Sequence, residues 1–188
     1  MKTENKTPVY DHLATRKNIS RSTSVKLHEQ MSQTASLEGL TYNFDITVVA
    51  NSFDAHRLIQ LAKLNGLGDA AEERLFRAYY TEGKDISDHL TLIVLGDEIG
   101  LDGRVIKRML DSDELANEVR ADEKQAKRLG INAVPFFVIN NKYGVSGAQQ
   151  PEVILQTLEK AWQEYAIENP QGAADSATPS TASIVANG

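Results

Sequence analysis

Apolar residues recur at helical spacing over most of the first 130 positions. The clearest such stretches run from Ser22 to Leu37 and from Phe53 to Leu64, where the apolar side chains fall on one face. Three more helices are predicted over Asp69–Gly83, Leu90–Ile99 and Asp111–Gly130. The segment LTLIVLGDEI is apolar almost all round, which is typical of a helix at the centre of a bundle, and a buried strand is the alternative. Five helices with short connections predict a small helical bundle.

Residues that commonly cap helices mark three of these starts. Ser52 stands at the N-cap position before Phe53. Asp69 with Glu72, and Asp111 with Glu114, have the spacing of a capping box, in which two side chains exchange hydrogen bonds with the first helical turn. We therefore expect helices to begin at these acidic residues.

The pattern changes after Gly130. Val134-Pro135 precedes an aromatic and β-branched run, Phe136–Ile139, which predicts a buried strand, and the polar residues 140–142 predict a turn into a second strand over Tyr143–Ser146. Pro151 suits the first turn of a final helix. The apolar face of that helix comprises Ile154, Leu158, Ala161, Trp162 and Tyr165. The predicted class is a strongly helix-weighted α/β or α+β fold.

The amino-acid composition excludes several kinds of chemistry but does not identify a function. The 188 residues are 41% hydrophobic and 24% charged, as in an ordinary globular protein of one domain or two small ones. The net charge of -6 argues against nucleic-acid binding. The sequence has no cysteine, which excludes disulfides, thiolate metal sites and cysteine nucleophiles. No segment is typical of a signal peptide or a membrane span, so we expect a cytoplasmic protein without membrane contact. The four histidines lack metal-ligand spacing, and we expect no metal or cofactor.

Four motifs carry a family resemblance. They are ANSFDAHRLIQLAKLNG (Ala50–Gly66), ERLFRAYYTEGKDISD (Glu73–Asp88), VPFFVIN (Val134–Asn140) and GVSGAQ (Gly144–Gln149). In this order they resemble the FrnE-like branch of the DsbA family of thioredoxin-fold oxidoreductases, over nearly the whole chain between Val9 and Tyr165. The resemblance implies an incomplete thioredoxin-like fold with an all-helical insert, in which only the C-terminal β-hairpin of the sheet is retained. The expected division is a disordered segment 1–8, a helical insert domain 9–130, the C-terminal half of a thioredoxin-like domain 131–167 and a disordered tail 168–188.

The chain departs from the family at its reactive element. Family members carry a strand, a Cys-X-X-Cys motif that opens a helix, and a second strand before the insert, and these are not found here. Disulfide exchange needs a thiolate, so we expect this chain to be inactive in it, through a truncation that the upstream reading frame would reveal. Two alternatives remain: a non-catalytic peptide-binding or chaperone-like module, and a glutathione-dependent isomerase or transferase of the related kappa type. The serine that the kappa type uses would also lie in the segment that is not found.

The same departure predicts an open sheet. In the thioredoxin arrangement the strand VPFFVI pairs with the family's first strand, and without it the hairpin presents an unpaired apolar edge. We expect a homodimer, complementation by another strand, or marginal stability.

The resemblance also assigns candidate binding residues, although none is catalytic. Val134 and Pro135 correspond to the cis-proline loop that offers its backbone to a thiol-containing peptide. The run Ser146, Gly147, Ala148 and Gln149 leads into the last helix, where backbone N–H groups could hold an anion such as a glutathione carboxylate; a plain turn and cap is the favoured interpretation. His56 could tune a redox site from a distance, but a partly buried structural histidine is favoured.

Overall fold

The structure, a computed structural model, describes residues 7–170. The chain falls into two compact units, divided between Lys124 and Gln125. Most of the two segments predicted to be disordered, 1–8 and 168–188, lies outside the described residues. Of their described residues, Pro8 forms an isolated antiparallel bridge with Val48, and Glu168 belongs to the last helix.

The first unit is built from helices around one apolar core. The helices are α1 (Val9–Lys17), α2 (Arg21–Leu37), α3 (Phe53–Leu64), α4 (Gly68–Phe76), α5 (His89–Glu98), α6 (Gly103–Leu110) and α7 (Ala116–Arg128), the last of which contains the division between the units. A π-helical turn, Arg77–Thr81, continues α4. The core lies among α3, α4, α5 and α6, where Leu58, Leu92, Leu95, Ile106 and Met109 have almost no exposed surface. Burial of these large apolar side chains is the main term that stabilises the unit.

Short polar side chains start several helices by accepting a hydrogen bond from an otherwise unpaired backbone N–H. Ser20 caps α2 by accepting from the N–H of Thr23 at 3.1 Å. Asp88 caps α5 and Asp102 caps α6 in the same manner. Ser52 stands at the N-cap position of α3, as predicted, but its side chain makes no capping bond.

Both predicted capping boxes are wrong. Helix α4 begins at Gly68, after Leu67, without a side-chain cap. Asp111 lies at the C-terminal end of α6, and α7 begins only at Ala116. Asp69 and Asp111 are predicted to start helices, but Asp111 instead ends α6, a helix that the sequence pattern does not predict.

The other predicted helices lie where they were expected. Two helices were not predicted, and the burial of one was predicted wrongly. Helices α1 and α6 are not among the predicted helices, although Val105, Ile106, Met109 and Leu110 of α6 stand at helical spacing. Segment Leu90–Ile99 does form a helix, but it is not buried all round. Leu92 and Leu95 are in the core, whereas Leu90 is 73% exposed and Val94 is 52% exposed, since α5 presents only one face to α3, α4 and α6.

The second unit is a β-hairpin covered by one helix. Strand β1 (Phe136–Ile139) pairs antiparallel with β2 (Tyr143–Ser146), and helix α8 (Pro151–Glu168) packs on both strands. Asn140 and Asn141 form the turn with positive φ angles, which asparagine tolerates better than most residues. The helix-rich fold with a small two-stranded sheet is the predicted class. The prediction that β1 is buried is wrong, because Phe137 is 43% exposed and Val138 is 39% exposed.

We predict that Gly83→Ala destabilises the first unit far more than Gly66→Ala. Both glycines have positive φ, which alone costs an L-residue about 1–2 kcal/mol. A Cβ on Gly83 would also lie 2.5 Å from the carbonyl oxygen of Ile46, whereas a Cβ on Gly66 meets nothing within 4 Å. Urea denaturation should therefore show a loss for Gly83→Ala that exceeds the control's by about 1–3 kcal/mol, the usual cost of overpacking. Equal losses would contradict the close approach.

Candidate functional site

The predicted peptide-binding loop lies at the start of the hairpin. The peptide bond between Val134 and Pro135 is cis, and Val134 is 87% exposed. The carbonyl oxygen of Pro135 accepts a hydrogen bond from the N–H of Gly147 at 2.9 Å. The loop is thereby joined to the end of β2, so the structure brings together Val134, Pro135 and Gly147 from the two predicted candidate sets.

The predicted anion site, Ser146–Gln149, forms a turn before α8. The N–H of Gly147 is already engaged by Pro135, and the side-chain amide of Gln149 donates to the carbonyl oxygen of Ser146 at 2.8 Å. Helix α8 then begins at Pro151 without a side-chain cap. The N–H of Gly147 is therefore not free for an anion, and one donor of the Gln149 side-chain amide is also engaged.

His56 lies on α3 with its side chain exposed, so the expectation that it is partly buried is wrong. The neighbouring residue, Arg57, is the buried one, at 4% exposure. The helix turns about 100° per residue, and the AHRL motif directs Ala55, Arg57 and Leu58 inward while His56 points to solvent. Its role at a distance from a redox site stays a prediction.

The backbone of β1 has an unpaired side within the described residues. The bond between Gly147 and Pro135, together with the register that pairs Phe137 with Val145, places residues 135, 137 and 139 in hydrogen-bonded pairs with β2. In an antiparallel ladder the intervening residues turn their N–H and C=O groups away from the partner strand. The polar backbone groups of Phe136 and Val138 therefore point to the open edge, and no strand in residues 7–170 pairs with them.

An apolar stripe on α8 is also uncovered. Ala161 is 4% exposed and faces the hairpin. Next to Ala161 on the helix surface, a row of large residues with 3-4-3 spacing is 37–55% exposed; it comprises Leu155, Leu158, Trp162 and Tyr165. This spacing is that of a helix seam that packs against another element. Apolar side chains in such a row are typical of an interaction surface.

Polar contacts hold α8 to the hairpin. Lys142 forms an ion pair with Glu164 at 2.5 Å, and the hydroxyl of Tyr143 donates to the other oxygen of the same carboxylate. These two hydrogen bonds hold the pKa of Glu164 below its usual range. The open edge and the apolar stripe thus belong to a helix and hairpin that are joined by polar as well as apolar contacts.

A buried arginine in the first unit fixes the connection between α6 and α7. The Arg57 guanidinium donates to the carbonyl oxygens of Met109, Ser112 and Glu114, the last at 2.9 Å. It also pairs with Asp54 at 2.8 Å. Met109 lies in the last turn of α6, where carbonyls lack partners within the helix, whereas Ser112 and Glu114 lie in the connection to α7. Arg57 therefore ties the end of α6 to that connection. Sequence reasoning missed this role, although a charged residue on the apolar face of α3 was the available signal.

His89 completes this network by contacting the second oxygen of Asp54 at 2.8 Å. Partial burial of Asp54 opposes its ionisation, but the hydrogen bonds from Arg57 and His89 outweigh that effect and hold the pKa of Asp54 below its usual range. The arrangement is a structural ion-pair network, because the guanidinium's partners are backbone carbonyls and one carboxylate.

Within residues 7–170 no group of three or more histidine or acidic side chains could hold a metal ion, and no helix is long and apolar enough to cross a membrane.

The sequence matches the family model of the DSBA-like thioredoxin domain over residues 2–159. This chain belongs to that family. The DSBA-like chain nevertheless contains no cysteine, so the thiol chemistry from which the family takes its name has no nucleophile here. Its assignment to the FrnE-like branch stays a prediction.

The DSBA-like chain is similar to a protein of known structure and to a protein known from its sequence. A crystal structure of a probable DsbA oxidoreductase from Streptomyces coelicolor superposes with a TM-score of 0.80 and 34% identity, covering 86% of this chain and 70% of that one. An uncharacterized protein of Bacillus subtilis, YwbO, is 31% identical over 98 residues, which are 52% of this chain and 48% of YwbO. The matched region thus spans about half the length of this curated relative.

We predict that Arg57→Met destabilises the first unit by about 3–5 kcal/mol, because it removes a buried charged donor from three carbonyls and breaks the ion pair with Asp54. The control is Arg104→Met, which removes an ion pair whose arginine side chain is 92% exposed and should change stability by less than about 1 kcal/mol. Chemical denaturation measures both. A loss for Arg57→Met no larger than the control's would show that the guanidinium does not hold the α6–α7 connection.

Proposed function

We propose that this chain binds extended polypeptide along the open edge of β1 and does not itself exchange disulfides. The observation that carries the proposal is the pair of backbone positions, Phe136 and Val138, whose N–H and C=O groups have no partner in residues 7–170. A strand added at such an edge gains main-chain hydrogen bonds, and neighbouring apolar side chains supply contact area.

The surroundings of the edge support a polypeptide ligand. Val134, Phe137 and Val138 expose apolar surface beside the backbone groups. The exposed seam of α8 adds a second apolar surface to the same unit. A glutathione site is less well supported, because the N–H of Gly147 and the amide of Gln149 are engaged within the chain.

The proposed inactivity in disulfide exchange rests on chemistry. Exchange proceeds by attack of a thiolate on a disulfide sulfur, and no residue of the sequence supplies a thiol. In an assay of insulin reduction by dithiothreitol, the purified chain should leave the rate at its uncatalysed value. A rate increase that survives repurification would contradict this part of the proposal.

The binding test replaces Val138, whose N–H points to the open edge. Val138→Pro removes that donor without removing a hydrogen bond of the β1–β2 ladder, whereas the control Val138→Ala keeps the donor and loses most of the side chain. The probe is a short fluorescein-labelled peptide of alternating valine and threonine with lysine ends. We expect anisotropy titrations to show that the peptide binds the wild type. Val138→Ala should bind it with a dissociation constant within about threefold of the wild type's, and Val138→Pro should bind it at least about tenfold more weakly.

Two outcomes would overturn the proposal. Equal binding by Val138→Pro and Val138→Ala would place the peptide elsewhere on the chain. Failure of the wild type to bind, together with a dimer that Val138→Pro dissociates in light scattering, would mean that a second copy of the chain covers the edge instead.

A further inference from the structure

The first unit contains a cleft that the proposed function does not use. It lies between α2 and the loop segment 41–47, and its volume is about 550 Å³. This is within the range of small-molecule pockets, about 300–1,000 Å³. Its lining combines aromatic side chains with acidic groups; the side chains used below are Tyr10, Tyr42, Phe44, His28, Glu29 and Asp45.

His28 is the best-defined polar group of the cleft. It is 7% exposed, and its Nδ1 lies 2.8 Å from the carbonyl oxygen of Ser24. A carbonyl can only accept, so Nδ1 carries the hydrogen and donates to it, which leaves Nε2 of the neutral ring as an acceptor. No donor in residues 7–170 occupies Nε2. Nε2 is not among the fully buried atoms that lack a partner, so it keeps access to the cleft, where a ligand donor or water can reach it.

Aromatic packing fixes the orientation of the His28 ring. The rings of Tyr10 and Phe44 meet it edge to face, with centroids 5.0 Å and 4.5 Å away. Tyr42 meets Phe44 in the same geometry at 5.7 Å. Such pairs are directional, so the imidazole is held in place before any ligand arrives.

The loop that forms the other wall is held by the π-helical turn. Asn43 donates from its backbone to Tyr80 and from its side chain to Thr81, both at 2.7 Å. The ring of Tyr42 stacks on Tyr80 with a centroid separation of 4.5 Å. Single π-helical turns are uncommon and are frequently found at functional sites. The turn here sets the position of the wall that carries Tyr42 and Phe44.

The charges around the cleft favour a cation. Glu29 and Asp45 line it, and the Tyr10 hydroxyl donates to Asp45 at 2.9 Å without neutralising its charge. Arg21 also lines the cleft; its guanidinium pairs with Asp11 at 3.0 Å and lies 5.7 Å from the centroid of the Tyr10 ring, which leaves Tyr42 and Phe44 as the aromatic side chains for a ligand. Aromatic rings attract cations through their faces, in the same direction as the two carboxylates.

We propose that this cleft binds a small aromatic amine. The ligand's ring packs among Tyr42 and Phe44, a ligand N–H donates to Nε2 of His28, and the positive charge lies near Glu29 and Asp45. This ligand class satisfies the unpartnered acceptor, the ring surfaces and the negative charge together.

The probe for this proposal is tryptamine, measured by isothermal titration calorimetry, with indole-3-acetate as the anionic counterpart of similar size. His28→Phe keeps a ring in the aromatic packing and removes the acceptor. We expect tryptamine to bind the wild type, His28→Phe to weaken it by at least about tenfold, and indole-3-acetate not to bind. Glu29→Gln should weaken tryptamine by about threefold, and the control Glu152→Gln, in the second unit, should leave its affinity unchanged.

The proposal is overturned if tryptamine does not bind the wild type, if it binds His28→Phe equally well, or if indole-3-acetate binds as tightly. Circular dichroism establishes whether His28→Phe folds. Should it fail to fold, Glu29→Gln decides the matter: a tryptamine affinity equal to that of the wild type contradicts the proposal, and a selective loss relative to Glu152→Gln supports it.

Discussion

Backbone N–H and C=O groups removed from water need hydrogen-bond partners, and this requirement organises both units of the chain. In the first unit it is met by a side chain, since Arg57 donates to three carbonyls where α6 ends. In the second unit it is met on only one side of β1, where β2 supplies the partners. The requirement is therefore satisfied at the α6–α7 connection, whereas the outer side of β1 keeps N–H and C=O groups that can accept a further strand.

The open edge matters because of the chemistry that the chain does and does not contain. It is a DSBA-like thioredoxin-domain protein by its family match, yet its 188 residues include no thiol. The second unit offers a binding surface, which consists of the loop at Pro135, the open edge of β1 and the exposed apolar seam of α8. These features suit the binding of another polypeptide segment, which is why the proposed function is recognition and not exchange.

The sequence predicted those features that depend on local patterns. The apolar face of α3 and the aromatic run at Phe136 have short-range signatures, and both elements lie where they were expected. The capping box at Asp111 failed because α6, which the sequence pattern did not predict, occupies the preceding residues and ends at Asp111. His56 is predicted to be partly buried, since histidine is more often buried than a charged residue, but the fold buries the neighbouring Arg57 instead. Three carbonyls brought together by the fold reverse that preference, and no local pattern reveals them.

The candidate sites show the same limit. Val134 and Gly147 were named from a family resemblance, and the structure joins their segments through one backbone hydrogen bond. The cleft at His28 has no sequence motif, because its walls come from α1, α2 and the loop segment 41–47, and a π-helical turn distant along the chain holds that loop. A contact between segments that are distant along the chain needs the folded structure before it can be recognised.

The central claim is that β1 has a free edge, and amide hydrogen exchange of the isolated chain measures it most directly by NMR. The account predicts fast exchange at Phe136 and Val138, whose N–H groups point away from β2, and slow exchange at Phe137 and Ile139, which pair with β2. Addition of the valine–threonine peptide should then slow exchange at Phe136 and Val138 selectively. Equal protection of all four amides in the isolated monomer would contradict the account.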